Sequence, residues 1–293
     1  MITDPTQEPG INIGEMVLHH TADAWTIPID LGWWHKDIQL HRFNDIHIGS
    51  LTLNLSPTKH VYFMLLAATL VFMMMWIAGR QLQKQRNTGQ HPRGFSGAVE
   101  AAVLWVRNEV ALPNIPHGER FAPLIVALFF FVLFCNLLGM LPGGAAPTSN
   151  LAVTGALAFL VFLVIEIGGM IKLGWKGYLH TIFPPVDGLP PAGSLAMSIG
   201  MAPIEVIGKL VKPFALAVRL FGNMIAGHFV ILSLFGIIFI FGAVKGLNVG
   251  VGLLTAALVT AIMLLELFVA FLQAYVFALL SAVFIGLLQE EHH

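Results

Sequence analysis

The sequence predicts an all-α integral membrane protein with five membrane-embedded helices and one interfacial amphipathic helix, the last two helices being long, strongly tilted and antiparallel. Hydrophobic residues make up 57% of the chain and charged residues only 11%, whereas an ordinary soluble domain is about 25% charged. The mean hydropathy is +0.80. Several uncharged runs also reach the roughly 20 residues that a helix needs to cross the hydrocarbon core.

Charge and cysteine content exclude other classes of protein. The formal net charge of -1 favours no nucleic-acid partner. The single cysteine, Cys135, cannot form an internal disulfide. Residues 1–60 carry seven acids against three bases and are predicted to form an extracytoplasmic N-terminal segment. Because the opening stretch MITDPTQEPG lacks a basic region followed by an apolar one, we expect no cleaved signal peptide.

Charge-free runs define the first three membrane spans. Residues 61–79 are predicted to form the first transmembrane helix. Residues 121–171 are predicted to form a transmembrane hairpin, since the run from 121 to 165 holds no charged residue. The stretch LPGGAAPTSN at 141–150 divides that hairpin, because Pro and Gly interrupt helices. Glu166, near the end of the third span, is interpreted as an interfacial structural residue.

The segment 94–112 is predicted to lie on the cytoplasmic surface of the membrane as an amphipathic helix. Its apolar residues recur at helical spacing while its charged residues occupy other faces. These apolar positions are Phe95, Val99, Ala102, Val106 and Val110. Residues 172–198 are then expected to form a cytoplasmic loop, because FPPVDGLPPAGS at 183–194 contains four prolines.

The last two helices are predicted to form a long, tilted hairpin over residues 199–289. Its two apolar stretches, 213–244 and 246–289, contain one charge each, Arg219 and Glu266. As helices they would measure about 48 Å and about 66 Å, although the hydrocarbon core is only about 30 Å thick. Such helices must tilt, bend or extend beyond the bilayer, which suits a surface laid along another membrane component.

Basic residues predict the orientation, because cytoplasmic loops carry an excess of Lys and Arg. Two loops hold such residues: Arg80, Lys84, Arg86 and Arg93 after the first span, and Lys172, Lys176, Lys209 and Lys212 between the third and fourth. The turn at 141–150 has no charge, and 245–250 has only Lys245. The N-terminus is therefore predicted to be extracytoplasmic and the C-terminus cytoplasmic.

The few polar residues of the last two helices follow a pattern. Residues that face each other in an antiparallel helix pair have a nearly constant sum of residue numbers. The pair Arg219 and Gln273 and the pair His228 and Glu266 have nearly the same sum, so both fit one register. Each pair also has a structural interpretation, because polar side chains hold helices together through ion pairs and hydrogen bonds.

Arg219 lies between polar residues at two other levels. Asn223 follows it by one turn on the same face, and Glu205 precedes it by about 21 Å of helix toward the cytoplasm. Ionisable groups at membrane depth mark ion pathways. Arg219 has no carboxylate at its own level in this helix pair, and an unpaired buried cation is costly. We therefore expect another subunit to supply its partner.

Two motifs cover this region: RLFGNMIAGH at 219–228 is followed by LQAYVFALL at 272–280. These motifs resemble the subunit a family of F-type ATP synthases, the stator part of a membrane rotary motor. GEMVLHHTAD near the start, VLFCNLLGMLP in the second span and APIEVIGKLVKPFALAVRLFGNM also look like that family. The resemblance covers most of the chain and is weakest over residues 1–60.

The resemblance implies roles for individual positions. Arg219 matches the essential arginine that faces the proton-carrying carboxylates of the rotating c-ring. Asn223 and Gln273 match polar residues beside the proton path. Glu205 matches an acidic residue of the cytoplasmic half-channel. Asn136 matches an asparagine of the outer half-channel.

The sequence departs from one common family pattern at two places. In that pattern the first helix of the pair carries Glu and the second His, whereas here His228 and Glu266 are exchanged. Because both fit one register, either order leaves an acid and an imidazole facing the same cavity. Gly139 stands where the family often has an acid soon after Asn136. Tyr275, in the motif LQAYVFALL, is also assigned to proton translocation.

The resemblance further implies a bacterial inner-membrane subunit that loads and unloads protons on the c-ring through two offset half-channels. Its implied partners are the c-ring subunits, the b subunits of the peripheral stalk, the F1 head indirectly, and the lipid bilayer. We expect neither a cofactor nor a metal, and no enzyme activity by the chain alone, since it has no phosphate-binding glycine loop, nucleophile elbow or metal-spaced His and Cys residues.

Two alternatives belong to other classes. A secondary transporter also carries intramembrane charges, but usually shows internal repeats with paired broken helices, and the sequence shows no such repeat. A purely structural membrane scaffold does not require an arginine in the middle of an apolar helix. Copurification with a c-ring and a nucleotide-binding head would separate these possibilities.

Overall fold

The computed structural model describes residues 26–30, 35–40, 46–48, 51–53, 56–89, 91–116, 118–141, 144–183, 191–242 and 248–289. Five helices in these ranges are long and apolar enough to cross a membrane. This confirms the predicted fold class. Several predicted features lie wholly or partly outside the described residues: the motif GEMVLHHTAD, residues 184–190 of the proline-rich stretch, residues 245–247 of the turn at 245–250 and the C-terminal residues after Gln289.

Four short strands precede the first helix, and we did not predict them from the sequence. Strand β1 (Thr26–Asp30) pairs antiparallel with β2 (His35–Gln39). Strand β3 (Ile46–Ile48) pairs in the same way with β4 (Leu51–Leu53). Alternating apolar and polar residues favour strands, and in each hairpin an apolar pair faces across the ladder, as with Ile27 and Ile38.

The first long helix, α1, runs from Lys59 to Asn87 and continues past its apolar part into a charged tail. Near its end, the Gln85 side chain meets the start of the next helix, α2 (Gly94–Trp105). Oε1 of Gln85 accepts hydrogen bonds from the backbone N–H of Arg93 and the hydroxyl of Ser96, both at 3.3 Å. Gln85 thus satisfies a donor at a helix N-terminus, where backbone N–H groups otherwise lack partners.

Helix α2 continues as a π-helical stretch, Val106–Ala111, and one α-helical turn, Leu112–Asn114. Of the apolar residues predicted to share a face, Val99, Val106 and Val110 are buried and Ala102 packs against the core. Phe95 is instead exposed. Phe95 is the second residue of the helix, and the buried face of the helix begins after it.

The predicted hairpin at 121–171 consists of α3 (Ala122–Gly139) and α4 (Leu151–Ile182). A single 3-10 turn, Pro147–Ser149, precedes α4. Helix α4 extends well into the segment 172–198 that we expected to be a loop, with one break at Gly174. Gly174 has φ +67°, a left-handed conformation that glycine adopts without the steric cost of a side chain.

The fourth membrane helix is much longer than the sequence indicated, whereas the fifth is close to its predicted length. Helix α5 runs over Pro191–Gly242 (52 residues) and α6 over Asn248–Gln289 (42 residues). At 1.5 Å per residue they measure about 78 Å and about 63 Å. Helix α5 begins inside the proline-rich stretch because Pro fits the first position of a helix, where no N–H bond is lost.

The chain divides into two compact units. The first comprises Met1–Met64, Cys135–Asn150 and Phe221–Phe271, and the second comprises Leu65–Phe134, Leu151–Leu220 and Leu272–His293. The large apolar core described by the structure belongs to the second unit and draws on all helices from α2 to α6. Its largest fully buried side chains include Val106, Ile125, Phe129, Val132 and Val161.

Candidate functional site

Asn136 is fully buried in the first unit, and both the nitrogen and the oxygen of its side-chain amide form hydrogen bonds. Its Nδ2 donates to the backbone carbonyl of Ala270 on α6 at 3.2 Å. Its Oδ1 accepts a hydrogen bond from the Thr148 hydroxyl at 2.7 Å. Asn136 therefore joins the turn before α4 to α6, one helical turn beyond Glu266. It is a positioning residue for this region, because both ends of its amide are already engaged.

The turn before α4 packs directly on the end of α3. The backbone carbonyl of Ala146 accepts hydrogen bonds from His60 Nδ1 at 3.1 Å and from the Ser149 hydroxyl at 2.8 Å. Gly139 lies against Ala146 so closely that a Cβ at position 139 would overlap the side chain and backbone of Ala146. An acidic side chain cannot occupy position 139 with this turn in place, which gives a physical reason for the glycine.

Glu266 is buried in the first unit, opposite Gly227 of α5. A Cβ built at Gly227 would lie 2.9 Å from Oε1 of Glu266. The two helices therefore meet here in the register that the sequence predicted for His228 and Glu266, since Gly227 is the residue before His228. The backbone of His228 is helical, and its side chain lies outside the described part of the structure.

Arg219 is exposed on α5, within the second unit. Among the described residues of the chain, no carboxylate forms an ion pair with it. A stripe of exposed apolar residues at helical spacing leads up to it along α5. These residues are Ile204, Ile207, Val211, Phe214 and Val218. Arg219 thus presents its charge at the end of an apolar surface.

The remaining predicted site residues have different surroundings. Gln273 is buried, and within the described part of the chain its side chain forms no hydrogen bond to Arg219. Tyr275 is half-buried and packs against Trp105 of α2, with ring centroids 5.6 Å apart. Asn223 is exposed, one turn after Arg219 on the same helix. The sequence correctly identified the register at Glu266, whereas the proposed contact between Arg219 and Gln273 is not made by a hydrogen bond.

A charged cluster that the sequence reading missed lies in the second unit, around Lys209. Its Nζ lies 3.7 Å from Oε2 of Glu166 and donates to the Thr181 hydroxyl at 2.9 Å. The Tyr178 hydroxyl donates to the same Glu166 oxygen, and Lys209 Nζ sits 4.4 Å from the centre of the Tyr178 ring. Glu205, half-buried, precedes Lys209 by one turn on α5.

This cluster shows how Glu166 is held in the structure. Glu166 is buried and is paired across two helices, α4 and α5, while its predicted place near the membrane interface stays a prediction. The sequence did contain a signal, because Glu166 and Lys209 are isolated charges in apolar surroundings, and buried charges occur in pairs. The pairing itself depends on α4 continuing past Gly174 so that Tyr178 and Thr181 reach the same site.

Within the described ranges, no group of three or more His, Cys, Asp or Glu side chains could hold a metal ion. The polar side chains identified above are amides, hydroxyls and ionisable groups. Groups of these types can donate and accept protons, and ionisable groups at membrane depth often mark ion pathways.

Comparison with known proteins extends these observations. A family model described as ATP synthase A chain matches residues 61–286. The ATP synthase subunit a 2 of Chlorobaculum tepidum is 41% identical over 279 residues, covering 94% of this chain and 72% of that protein. The ATP synthase subunit a of Chloroherpeton thalassium is 42% identical over 274 residues, covering 92% of this chain and 75% of that protein. The ATP synthase subunit a of Myxococcus xanthus is 40% identical over 268 residues, covering 90% of this chain and 82% of that protein.

Proposed function

The chain belongs to the ATP synthase A chain family, and from this membership we propose that it is the fixed subunit that transfers protons to and from a rotating c-ring. Membership and the five apolar helices make it a multi-pass membrane subunit of an ATP synthase complex. In our proposal the chain catalyses no reaction by itself. It couples proton flow to rotation, and the F1 head uses that rotation to make ATP.

The observation that carries the proposal is the setting of Arg219. It is a permanently charged side chain, exposed beside an apolar stripe, with no ion pair among the described residues. A cation facing lipid is expensive, and intramembrane charges are therefore paired or line a cavity. A carboxylate on a neighbouring subunit, passing in front of Arg219 as a ring rotates, satisfies this requirement without a fixed internal partner.

Two half-channels that do not meet would lead to that carboxylate. We assign Asn223, His228 and Glu266 to the outer one, with Asn136 positioning α6 beside them. Glu205 is assigned to the inner one. The close approach of Gly227 and Glu266 supports grouping Glu266 with His228, because it puts the acid at the level of His228, and histidine is a residue type that can relay protons.

A proton that enters from outside passes to a ring carboxylate and neutralises it. The neutral form can then rotate through lipid, where an ionised carboxylate would be heavily penalised. Near Arg219 the ionised form is favoured again, because an opposite charge stabilises it, and the proton leaves toward Glu205. Arg219 cannot itself relay a proton. It separates the two paths, with Gln273 and Tyr275 beside it.

The proposed placement follows from orientation and family membership. The chain would lie in a bacterial inner membrane with its N-terminus periplasmic and its C-terminus cytoplasmic, as the basic loops indicate. Its direct partners would be the c-ring and the b subunits of the peripheral stalk. The driving force includes the membrane potential, worth about 2.3 kcal/mol per charge per 100 mV.

Replacement of Arg219 tests the proposal. We expect Arg219→Ala to abolish ATP-driven proton pumping in inverted membrane vesicles, and Arg219→Lys to restore little of it, since a buried lysine loses its charge more readily. Arg80→Ala is the matched control, because Arg80 stacks on Trp76 of α1 at 3.9 Å and takes no part in the proposed path. Coupled pumping at the normal rate in Arg219→Ala would refute the assignment.

A further inference from the structure

A groove of about 1090 Å³ opens on the second unit, between α4 and the segment that joins α2 to α3. Residues of α4 form one wall, and Leu112, Ile115 and Phe121 contribute to the other. Gly168 of α4 lies near the ring of Phe121, so the two walls approach each other at this level. Proton transfer as described above uses none of these residues.

The α4 wall is a stripe of exposed apolar side chains. Leu160, Leu163, Ile167 and Ile171 are between 40% and 80% exposed, and their spacing of three or four residues puts them on one face. From Leu160 to Ile171 the stripe measures about 17 Å. This length is close to one leaflet, which is about half of a 30 Å hydrocarbon core.

The groove has a positively charged end. Glu119, Arg120 and Lys172 lie at that end, and all three are exposed. The negative charge of Glu119 is already balanced by an ion pair with Arg107, whose Nη2 lies 3.6 Å from Glu119 Oε1. Arg120 forms no ion pair with any described residue. Trp175, exposed one turn beyond Ile171, is of the residue type that is enriched at the membrane–water interface.

We propose that this groove binds an anionic phospholipid, with an acyl chain along the α4 stripe and the phosphate at Arg120, where Lys172 adds a second positive charge. Basic pockets between membrane helices suit acidic lipid head groups. The basic end lies toward Ile182, on the side that the positive residues assign to the cytoplasm, so the lipid belongs to the cytoplasmic leaflet. The site is separate from Arg219 and does not depend on the proposed proton path.

The dimensions favour a lipid over a helix from another subunit. A transmembrane helix needs about 20 residues and crosses both leaflets, whereas the exposed stripe of this groove covers about one. An inorganic phosphate would use the two cations but would leave the apolar wall without a ligand. A phospholipid with one negative head group uses both parts of the groove at once.

Photo-crosslinking on the intact ATP synthase complex in liposomes tests this proposal. Two probes carry the same diazirine-bearing acyl chain, one on phosphatidylglycerol and one on phosphatidylcholine, and mass spectrometry quantifies labelled peptides from residues 112–121 and 157–172. We expect the phosphatidylglycerol probe to label these peptides several-fold more. A basic residue near the membrane surface strengthens binding of anionic lipid by about fivefold, so Arg120→Gln with Lys172→Gln should remove the preference.

Lys176→Gln is the matched control, because Lys176 is an exposed lysine of α4 that does not line the groove. It should keep the preference for phosphatidylglycerol. Equal labelling by the two probes in the unchanged complex would overturn the proposal, since it indicates ordinary bilayer contact. Absence of labelling by either probe would also overturn it, because another subunit would then cover the groove. An unchanged preference in the double variant would exclude Arg120 and Lys172 as the head-group ligands.

Discussion

At the scale of single residues, two glycines determine where functional side chains lie. Gly227 gives Glu266 the space to sit between α5 and α6, and Gly139 lets the turn before α4 reach the end of α3. Both adopt ordinary helical backbone, so the reason for glycine is the close neighbour and not the backbone conformation. The sequence singled out position 139 only as a departure from a family pattern, because the neighbour that excludes a side chain is visible only in three dimensions.

Gly227→Ala should impair proton transfer more than stability. The new Cβ would come within 2.9 Å of Glu266 Oε1, and a carboxylate at the end of a flexible side chain can move away at small energetic cost. Moving it changes the proposed outer half-channel. We expect a several-fold slower ATP-driven proton pumping rate with nearly normal assembly of the complex. Gly252→Ala, with no atom near its Cβ position, should change neither quantity, and normal pumping in Gly227→Ala would contradict the role of this contact.

Gly139→Ala should act mainly on stability. Its Cβ would overlap both the side chain and the backbone of Ala146, and overpacking of this kind costs about 1–3 kcal/mol. We expect less assembled complex in membranes and a lower dissociation temperature. Gly155→Ala provides the comparison, since its Cβ position is open. Unchanged amounts of complex in Gly139→Ala would show that the turn can move away.

At the scale of elements, the charged cluster around Lys209, which joins α4 to α5, explains why α4 continues beyond the predicted span. Residues after Gly174 supply Tyr178 and Thr181, which bind Glu166 and Lys209. The sequence indicated a loop there because four prolines fall within residues 183–194. The segment is helical at both ends, where α4 ends and α5 begins. Contacts between α4 and α5 stabilise these turns, since tertiary packing stabilises a helix more than local propensity does.

Lys209→Met should destabilise the second unit. Removing one partner of a buried ion pair leaves the other charge uncompensated, at a cost of about 3–5 kcal/mol. We expect a lower dissociation temperature of the purified complex. Adding Glu166→Gln should recover part of the loss, because the amide carries no charge and can still accept from Tyr178. Lys176→Met, at an exposed position of α4, should have little effect. Equal stability of Lys209→Met and Lys176→Met would show that the ion pair contributes nothing.

At the scale of the whole molecule, the orientation in the membrane was inferred from the distribution of Lys and Arg. Residues at the ends of helices can report on it. Thr88, at the end of α1, and Leu141, at the end of α3, are both exposed, and the predicted topology puts them on opposite sides of the membrane. Cys135, the single cysteine of the chain, is buried and is a suitable internal reference.

Cysteine labelling with a membrane-impermeant maleimide checks this topology. Thr88→Cys should react in inverted vesicles and Leu141→Cys in right-side-out ones, each at least several-fold more than in the opposite preparation. Cys135 should stay unlabelled in both, because the reagent cannot reach a buried thiol. Reaction of both introduced cysteines from the same side would contradict the assigned orientation.

The sequence alone determined the fold class, the five spans and the two isolated charges Arg219 and Glu266, because each depends on hydropathy or on a single residue in apolar surroundings. At Gly227 and Glu266 the contact between α5 and α6 also agrees with the register inferred from residue numbers, whereas the pairing of Arg219 with Gln273 stays a prediction. The tertiary structure alone decided the N-terminal hairpins, the pairing of Glu166 with Lys209, the engagement of Asn136 and the groove beside α4. The last three of these features join residues of different helices, and their existence depends on which surfaces come into contact, which no local pattern of residues specifies. The hairpins are local, but strands of three to five residues are too short for alternation alone to predict them.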